Sequence, residues 1–423
     1  MRHINKFIYL FYITFAMAQS KQVDTLPAPF KTKSVSNFSK VIGWENGRTP
    51  LAPEGFKVTK YAEGFENPRW LYETPNGDIL VAQSNSNYSF FKQIGAWIIG
   101  AGKSKSLKHS ADLITILRDS NGDGIPDIRR TFLNQGLDQP FGMLIIENDF
   151  YVANTNALIR YPYTKGQLYI DGTGEKVVNL PAGKINQHWT RNIITNNDNS
   201  KIYIAIGSGT NIAEKGIEKE KLKASILEMN VNDSEVELFA SGLRNPVGMD
   251  WEPETGKLWT VVNERDGLGN NLVPDYLTSV VQDGFYGWPY SYFGIDDPRV
   301  TYTKPNELEK SIIPDYALKS HTASLGLVFS TGNRFPKEYR NGAFIVQHGS
   351  WNRDKLSGYK VVFVPFENGK PVGPPKDFLT GFIVDPDKDE VYGRPVGAIM
   401  TKDGALLITD DKTNTIWRVA VNE

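Results

Sequence analysis

Apolar residues in this chain come in short runs broken by turns, with no sustained helical stripe, and the runs come in pairs. Each pair starts from a polar residue, often followed by proline, and its two runs flank a turn rich in Gly, Asn or Asp. Four copies are clear: ENPRWLYETPNGDILVA (66–82), DQPFGMLIIENDFYVA (138–153), RNPVGMDWEPETGKLWTV (244–261) and GRPVGAIMTKDGALLIT (393–409). Two are looser, HWTRNIITNNDNSKIYIA (188–205) and HTASLGLVFSTGNRF (321–335). Paired runs around such turns are hairpin strands, and a hairpin recurring along a chain signals radial or stacked repetition. Six copies predict an all-β chain folded as a six-bladed β-propeller. Ring closure leaves only short, protected strand edges, and it predicts that FKVTKY (56–61) pairs with IWRVAV (416–421) to complete the last blade.

The same pattern sets the expected domains. Residues 1–18 carry Arg2 and Lys6, an apolar stretch from Phe7 to Phe15, and Ala16-Met17-Ala18, the layout of a secretory signal peptide cleaved near Ala18. A membrane anchor needs ~20 apolar residues, about twice what this stretch offers, so no membrane span is expected in the mature form. Residues 19–55 are rich in Lys, Ser and Pro and read as a tail or linker; residues 56–423 form the propeller, the catalytic domain. Two insertions interrupt the rhythm, at 83–112 and 264–320; such long insertions are usually either functional or disordered, and the second, rich in aromatics and glycine, points to function.

Composition narrows the chemistry. Lys plus Arg number 47 against 48 Asp plus Glu, so there is no electrostatic footprint for nucleic acid. Cysteine is absent, which excludes disulfides, thiolate metal sites and covalently attached c-type haem. Redox chemistry would need a cofactor held by other groups.

Aligning the copies by their turns places the residues before each first strand on one circle at a channel mouth. They are Asp138 and Gln139, His188 and Trp189, Arg244 and Asn245, Thr322 and Ala323, and Gly393 and Arg394. The recurring proline presets the turn, but the unlike polar residues beside it have no shared structural task. Together they suit a planar, anionic, hydrogen-bonding ligand. His188 is the natural general base and Arg244 a source of fixed positive charge, against the plainer readings of an ordinary histidine and a solvated arginine. The segment NERDGLGNNLVPDYL (263–277) gathers Glu264, Asp266, Asn270, Asn271 and Asp275 around flexible Gly267, oxygen donors suited to calcium or simply a polar loop. DSNGDGIPD (119–127) sets Asp119, Asn121, Asp123 and Asp127 around Gly124 as in a calcium loop, yet Arg130 stands where the bidentate Glu belongs, and an inter-strand turn explains the run equally well. Trp288 and Trp351 are candidate aromatic platforms.

HWTRN (188–192), SGLRNPVGM (241–249), NERDGLGNN (263–271), DGFYGWPYSYFG (283–294), QHGSWNRDKLSGYKVV (347–362) and GRPVGA (393–398) together resemble the pyrroloquinoline quinone (PQQ)-dependent sugar dehydrogenases. The similarity is to their sorbosone dehydrogenase-like branch, with the soluble quinoprotein glucose dehydrogenases more distant. The resemblance implies an exported six-bladed propeller that binds PQQ and calcium, oxidises a sugar, sugar aldehyde or related alcohol, and passes electrons to an external acceptor. It implies that His188 takes the hydroxyl proton and that Arg244 polarises the quinone carbonyl. Gln139, Asn245, Arg353 or Lys355, and Arg394 would contact cofactor, and backbone oxygens around Asp266 and Gly267 would hold the metal. The chain departs from these relatives at Asn270 and Asn271, where acidic residues are usual, at Tyr392, where the glucose enzymes carry a second arginine, and at Gln187 beside the histidine. Two other classes fit the scaffold: a metal-dependent lactonase-type hydrolase and a noncatalytic carbohydrate- or protein-binding propeller.

Overall fold

The computed structural model describes residues 26–87, 109–305 and 311–422. The expected signal segment and the insertion run FFKQIGAWIIGAG lie outside them. The described residues are all-β, with only short 3-10 turns besides the strands. Six sheets among them have four or five strands. Each begins on one copy of the repeat: Pro68–Glu73, Met143–Ile146, Ile193–Thr195, Pro246–Trp251, Ser324–Phe329 and Pro395–Met400. Each then runs outward through antiparallel hairpins, as the turn residues dictate. The sixth sheet takes its outer strand from the other end of the chain. Phe56–Glu63 pairs antiparallel with Thr415–Val421, Phe56 opposite Val421 and Lys57 opposite Ala420, as the sequence predicts.

The first strands touch one another in succession around the molecule, the sixth meeting the first. The glycine that follows the proline in the repeat explains how they come so close. A Cβ on Gly142 would lie 2.5 Å from the Ile193 nitrogen of the next sheet, one on Gly248 2.5 Å from the Leu327 nitrogen, one on Gly326 2.7 Å from the Val396 oxygen, and one on Gly397 2.7 Å from the Arg69 oxygen. These contacts are backbone against glycine, so a methyl group forces strands apart. Gly326→Ala is expected to destabilise the protein by about 1–3 kcal/mol, the usual cost of overpacking a close interior contact, as a lowered urea midpoint at unchanged slope. Between the sheets, aromatic and β-branched side chains fill the space, for example Phe132, Phe141 and Phe150 in one cluster and Phe344, Phe363 and Trp417 in another.

Residues 26–55 lie against this body. Phe30 N donates to Leu268 O, Asn37 N to Trp351 O, Lys40–Val41 pairs in parallel with Glu390–Val391, and Trp44 stacks on Tyr392 while its indole N–H reaches Asp410 Oδ2. The segment therefore crosses the loops that leave the fourth, fifth and sixth sheets. Among the described residues no helix is long and apolar enough to cross a membrane.

Candidate active site

The polar residues before the inner strands converge because those strands do. Asn67, Gln139 and Ala323, each immediately before the first strand residue or its proline, share a left-handed backbone with φ of 54°, 50° and 50°. That conformation is uncommon outside glycine and turns the chain sharply at the entrance to each strand.

One half of the site is built on the third and fourth sheets. His188 Nδ1 lies 2.8 Å from Ser208 O and 3.0 Å from Ser208 Oγ, and that hydroxyl already donates to Thr210 O. Both are therefore acceptors, so Nδ1 carries the proton and Nε2 is left with a lone pair. Burial, followed by the nearby Arg244 charge, holds the ring well below the ordinary histidine pKa. Asn245 is buried, and its Oδ1 has no hydrogen-bond partner. Gly207 permits this crowding, since a Cβ there would sit 2.4 Å from Asn245 Oδ1 and 2.5 Å from His188 Cβ.

Arg244 is buried and braces a loop: Nε donates to Asn211 O, NH1 to Asn263 O and Glu264 O, and NH2 to Asn211 Oδ1. Four of its five N–H groups are thus engaged, three on the backbone carbonyls of Asn211, Asn263 and Glu264 and one on the Asn211 side chain. Gln139 is similarly engaged, its amide donating to Asn85 O.

The other half gathers on the fifth, sixth and first sheets around Asp411, which is fully buried. Arg69 NH1 is 2.6 Å from Asp411 Oδ2, Lys412 Nζ 3.0 Å from the same oxygen, and His348 Nε2 3.0 Å from Oδ1. Burial alone would push the Asp411 carboxyl up, but Lys412, His348 and Arg69 beside it hold it well below the usual carboxylate range. Since an ionised carboxylate only accepts, His348 Nε2 donates and its Nδ1 keeps the lone pair. Burial, with Arg394 next to it, pushes the His348 ring down to about 3. Arg394 donates to His348 O and Gly349 O and lies over the Tyr359 ring. Arg69 lies over the Trp189 ring, 5.5 Å from its centroid, which joins the two halves, and its Nε has no partner. Two buried cations, Arg69 and Lys412, thus sit on the ionised Asp411 carboxylate, and a third, Arg394, lies alongside on the His348 and Gly349 carbonyls. The nearby Asp410 has its pKa raised by burial. A desolvated excess of positive charge calls for an anionic ligand.

Arg69, His348, Asp411 and Lys412 were missed in the sequence. They stand inside a first strand or beyond the end of a second one, whereas the alignment of copies compared only residues before the first strands. The signal was present in the NPRW of the first copy and the HGSW run. Arg353 reaches Asn270 O at the rim, but Lys355 does not join the site, its exposed ammonium lying 3.7 Å from Asp387.

The loop 263–271 does not present the expected side-chain donors. Asp275 is buried and its oxygens accept from Glu264 N, Thr322 Oγ1 and Ser324 N, so it ties two sheets together; burial raises its pKa to about 6. Asn271 is exposed. Asp266 Oδ1 meets His321 Nδ1 at 3.0 Å, and His321 Nε2 meets Gly269 O at 2.8 Å. Both partners are acceptors, so this ring carries two protons, consistent with its raised pKa, to which Asp266 contributes against the opposing effect of burial. Within 266–270 the carbonyls of Asp266, Leu268, Gly269 and Asn270 all accept hydrogen bonds, and that of Gly267 accepts none among the described residues. In the 119–127 loop, Asp119, Asn121, Asp123 and Asp127 each accept from their own loop's backbone amides. Among the described residues no three His, Asp or Glu side chains converge as a metal-binding group. Trp288 is buried with its indole N–H on Asn211 O; Trp351 is exposed and stacks on Phe38, rings 5.7 Å apart.

The two catalytic-type histidines give a direct test. In a proton NMR titration of the apoprotein, the His188 and His348 ring signals are expected to stay in the neutral position as pH falls through 6.5. A midpoint near 6.5 for both would contradict the enclosure described above.

Comparison with known proteins places these residues in a lineage. The family model described as TrAA12-like matches residues 50–283 and 297–422. An uncharacterized protein of Borreliella burgdorferi is 29% identical over 382 residues, covering 88% of this chain and 90% of that protein. Among solved structures, the calcium structure of the Trichoderma reesei Carbohydrate-Active Enzymes Family AA12 protein superposes with a TM-score of 0.71 at 19% identity, covering 89% of this chain and 100% of that one. The holo form of the PQQ domain of pyranose dehydrogenase from Coprinopsis cinerea gives 0.68 at 18% identity, covering 90% and 100%. At these identities the two superpositions establish a shared fold.

Proposed function

The chain belongs to the TrAA12-like family, and from that premise we propose that it is an exported, six-bladed quinoprotein dehydrogenase that oxidises a sugar, sugar aldehyde or related alcohol with PQQ and calcium. The observation that carries this reading is the group of buried cations, Arg69 and Lys412 on the Asp411 carboxylate with Arg394 alongside on the His348 and Gly349 carbonyls. PQQ is a planar tricarboxylate, and its charge complements that excess. The succession of first strands and the pairing of Phe56–Glu63 with Thr415–Val421 support the closed six-bladed ring. The signal-like residues 1–18 support export.

The donor set fits the cofactor. Arg69, Lys412, Arg394 and Asn245 would hold it, and a calcium ion would draw on the Gly267 carbonyl. When bound, the quinone supplies a two-electron acceptor for the hydride leaving the substrate carbon. The chain's own residues move the proton. Sequence resemblance points to His188 for that role, but the charges nearest to it are Arg244 and Arg191, and both oppose formation of an imidazolium. Burial, Arg394 and Arg69 oppose an imidazolium at His348 as well, but His348 alone of the two has a carboxylate, Asp411 on its Nε2, facing the imidazolium formed when Nδ1 takes the hydroxyl proton. We therefore assign the base to His348, with Asp411 holding its tautomer. His188 remains a neutral ring beside Asn245. Arg244, through Asn211 and the 263–264 carbonyls, fixes the loop that borders the reacting groups. Electrons then leave to an external acceptor.

A lactonase-type hydrolase would need carboxylate and amide side chains converging on a metal, and the site is lined instead by guanidinium, ammonium and imidazole groups. The test is to add PQQ and calcium chloride to purified apoprotein and follow dye reduction with a panel of aldoses and sugar aldehydes. A change in the bound-quinone absorption together with dye reduction is expected. If neither occurs, the reading fails.

A further inference from the structure

We propose that Arg299 is a resident competitor for the metal: its guanidinium takes the backbone carbonyl of Asp266, beside the free carbonyl of Gly267, and so sets how tightly this loop binds a divalent cation. The inference rests on the calcium part of the function proposed above. Arg299 NH1 is 2.6 Å from Asp266 O, and Asn211 Nδ2 donates to the same oxygen at 3.0 Å. A carbonyl oxygen has two lone pairs, so Asp266 O has none left for a metal. The guanidinium is fixed in that position by a fork on a buried carboxylate, with Nε 3.0 Å from Asp297 Oδ1 and NH2 2.8 Å from Oδ2. Asp297 is also held by Arg265, itself anchored on the carbonyls of Pro289 and Ser291. Gly267 makes the approach possible, because a Cβ at that residue would stand 2.7 Å from Arg299 NH1.

The consequence follows from charge and distance. Calcium sits 2.3–2.6 Å from its oxygen ligands, so an ion on the Asp266 carbonyl would lie within roughly 5 Å of the guanidinium nitrogen on the same oxygen. A divalent cation and a fixed monovalent cation that close repel strongly, even in a partly solvated rim where screening is appreciable. Binding through Asp266 O therefore requires Arg299 to release the carbonyl, and because the guanidinium is rigid that release also pulls at its fork on Asp297. Gly267 O can be used without that movement, but next to the same positive charge. Side-chain anions do little to offset this, since Asp266 Oδ1 is already taken by His321 Nδ1 and Asn270 and Asn271 carry no charge.

The experiment is calorimetric titration of calcium chloride into apoprotein with one equivalent of PQQ, comparing wild type with Arg299→Met and Arg299→Lys. Methionine keeps the length and removes charge and donors. Lysine keeps a cation for Asp297 but cannot bridge to the Asp266 carbonyl. Calcium is expected to bind at least tenfold tighter to R299M than to wild type, and R299K to fall between them. Should wild type bind calcium and neither variant bind it tighter, the role given to Arg299 is overturned while the metal reading stands. Calcium bound by R299M alone supports the competitor role; should neither wild type nor R299M bind calcium, the metal reading itself falls and the competitor role with it. If R299M fails to fold, R299K decides alone, tighter binding supporting the assignment and equal or weaker binding overturning it.

Discussion

Replacing His348 with Gln is expected to lower kcat by a factor of about 10²–10⁴, the usual contribution of a positioned general base, while the protein still folds and still takes up the quinone. The glutamine amide can go on donating to Asp411 Oδ1, so the buried carboxylate is not orphaned, but no lone pair of suitable basicity remains to accept the substrate's proton. The paired variant His188→Gln separates the two candidate bases. It is expected to alter cofactor affinity through Asn245, which crowds with His188 around Gly207, and to leave most of the turnover. If H188Q abolishes steady-state dye reduction and H348Q does not, the assignment made from Asp411 is wrong, and the base is the residue that family resemblance named. A second readout accompanies kcat. Burial keeps His348 neutral in the folded protein, whereas the unfolded chain protonates it near pH 6.5. The unfolded state therefore binds more protons between about pH 6.5 and 3, and this ring subtracts stability as pH falls through that window. H348Q removes that contribution, so its unfolding free energy should fall less steeply on acidification than that of wild type.

The second large effect is on stability. Asp411→Ala removes the carboxylate that Arg69, Lys412 and His348, all of them buried, share among the described residues. Breaking a buried ion pair by deleting one partner typically costs about 3–5 kcal/mol, because the remaining charge stays desolvated without compensation. Here two cations and an imidazole lose their partner, so the loss should reach at least the top of that range. Part of it should be recovered when an anionic cofactor is added. Guanidinium chloride unfolding of apoprotein, with and without PQQ, measures both effects. By contrast, Lys355→Ala, at an exposed ammonium 3.7 Å from an exposed carboxylate, should leave the midpoint unchanged, as water already screens that pair. An Asp411→Ala protein as stable as wild type would mean that Arg69 and Lys412 are not the desolvated pair described here, and the argument for an anionic ligand would weaken with it.

Much of the strand plan can be read directly from the chain. The six copies mark the inner hairpins, and the first strand finds its partner at the far end, Phe56 opposite Val421. These features are legible because hairpins are local: turn chemistry and the alternation of apolar residues act within a few positions. The glycines of the repeat were visible too, but their reason was not. Gly248 and Gly326 follow the turn with ordinary backbone angles, and only the next sheet's strand lying against them shows why no side chain fits. The site was half legible. His188, Arg244 and Asn245 do lie near one another, because equivalent positions in a repeat come to equivalent places, while Arg394 sits in the other half beside His348. What each does there was hidden. Arg244 was expected to present its charge to a ligand and instead uses three N–H groups on backbone carbonyls and a fourth on the Asn211 side chain, and Asp275, expected near a metal, is enclosed between two sheets.

The sequence by itself determined the all-β character, the number and order of hairpins, the neutral charge balance and the absence of cysteine chemistry, since each depends on residue type and spacing along one strand or turn. Tertiary structure alone decided which charges share a space. Arg69, His348, Asp411 and Lys412 come from three different sheets, with up to 343 positions between them in a chain of 423, and no local pattern links them. Their chemistry is set by burial and by charges a few ångströms away, and both quantities exist only once the sheets have packed.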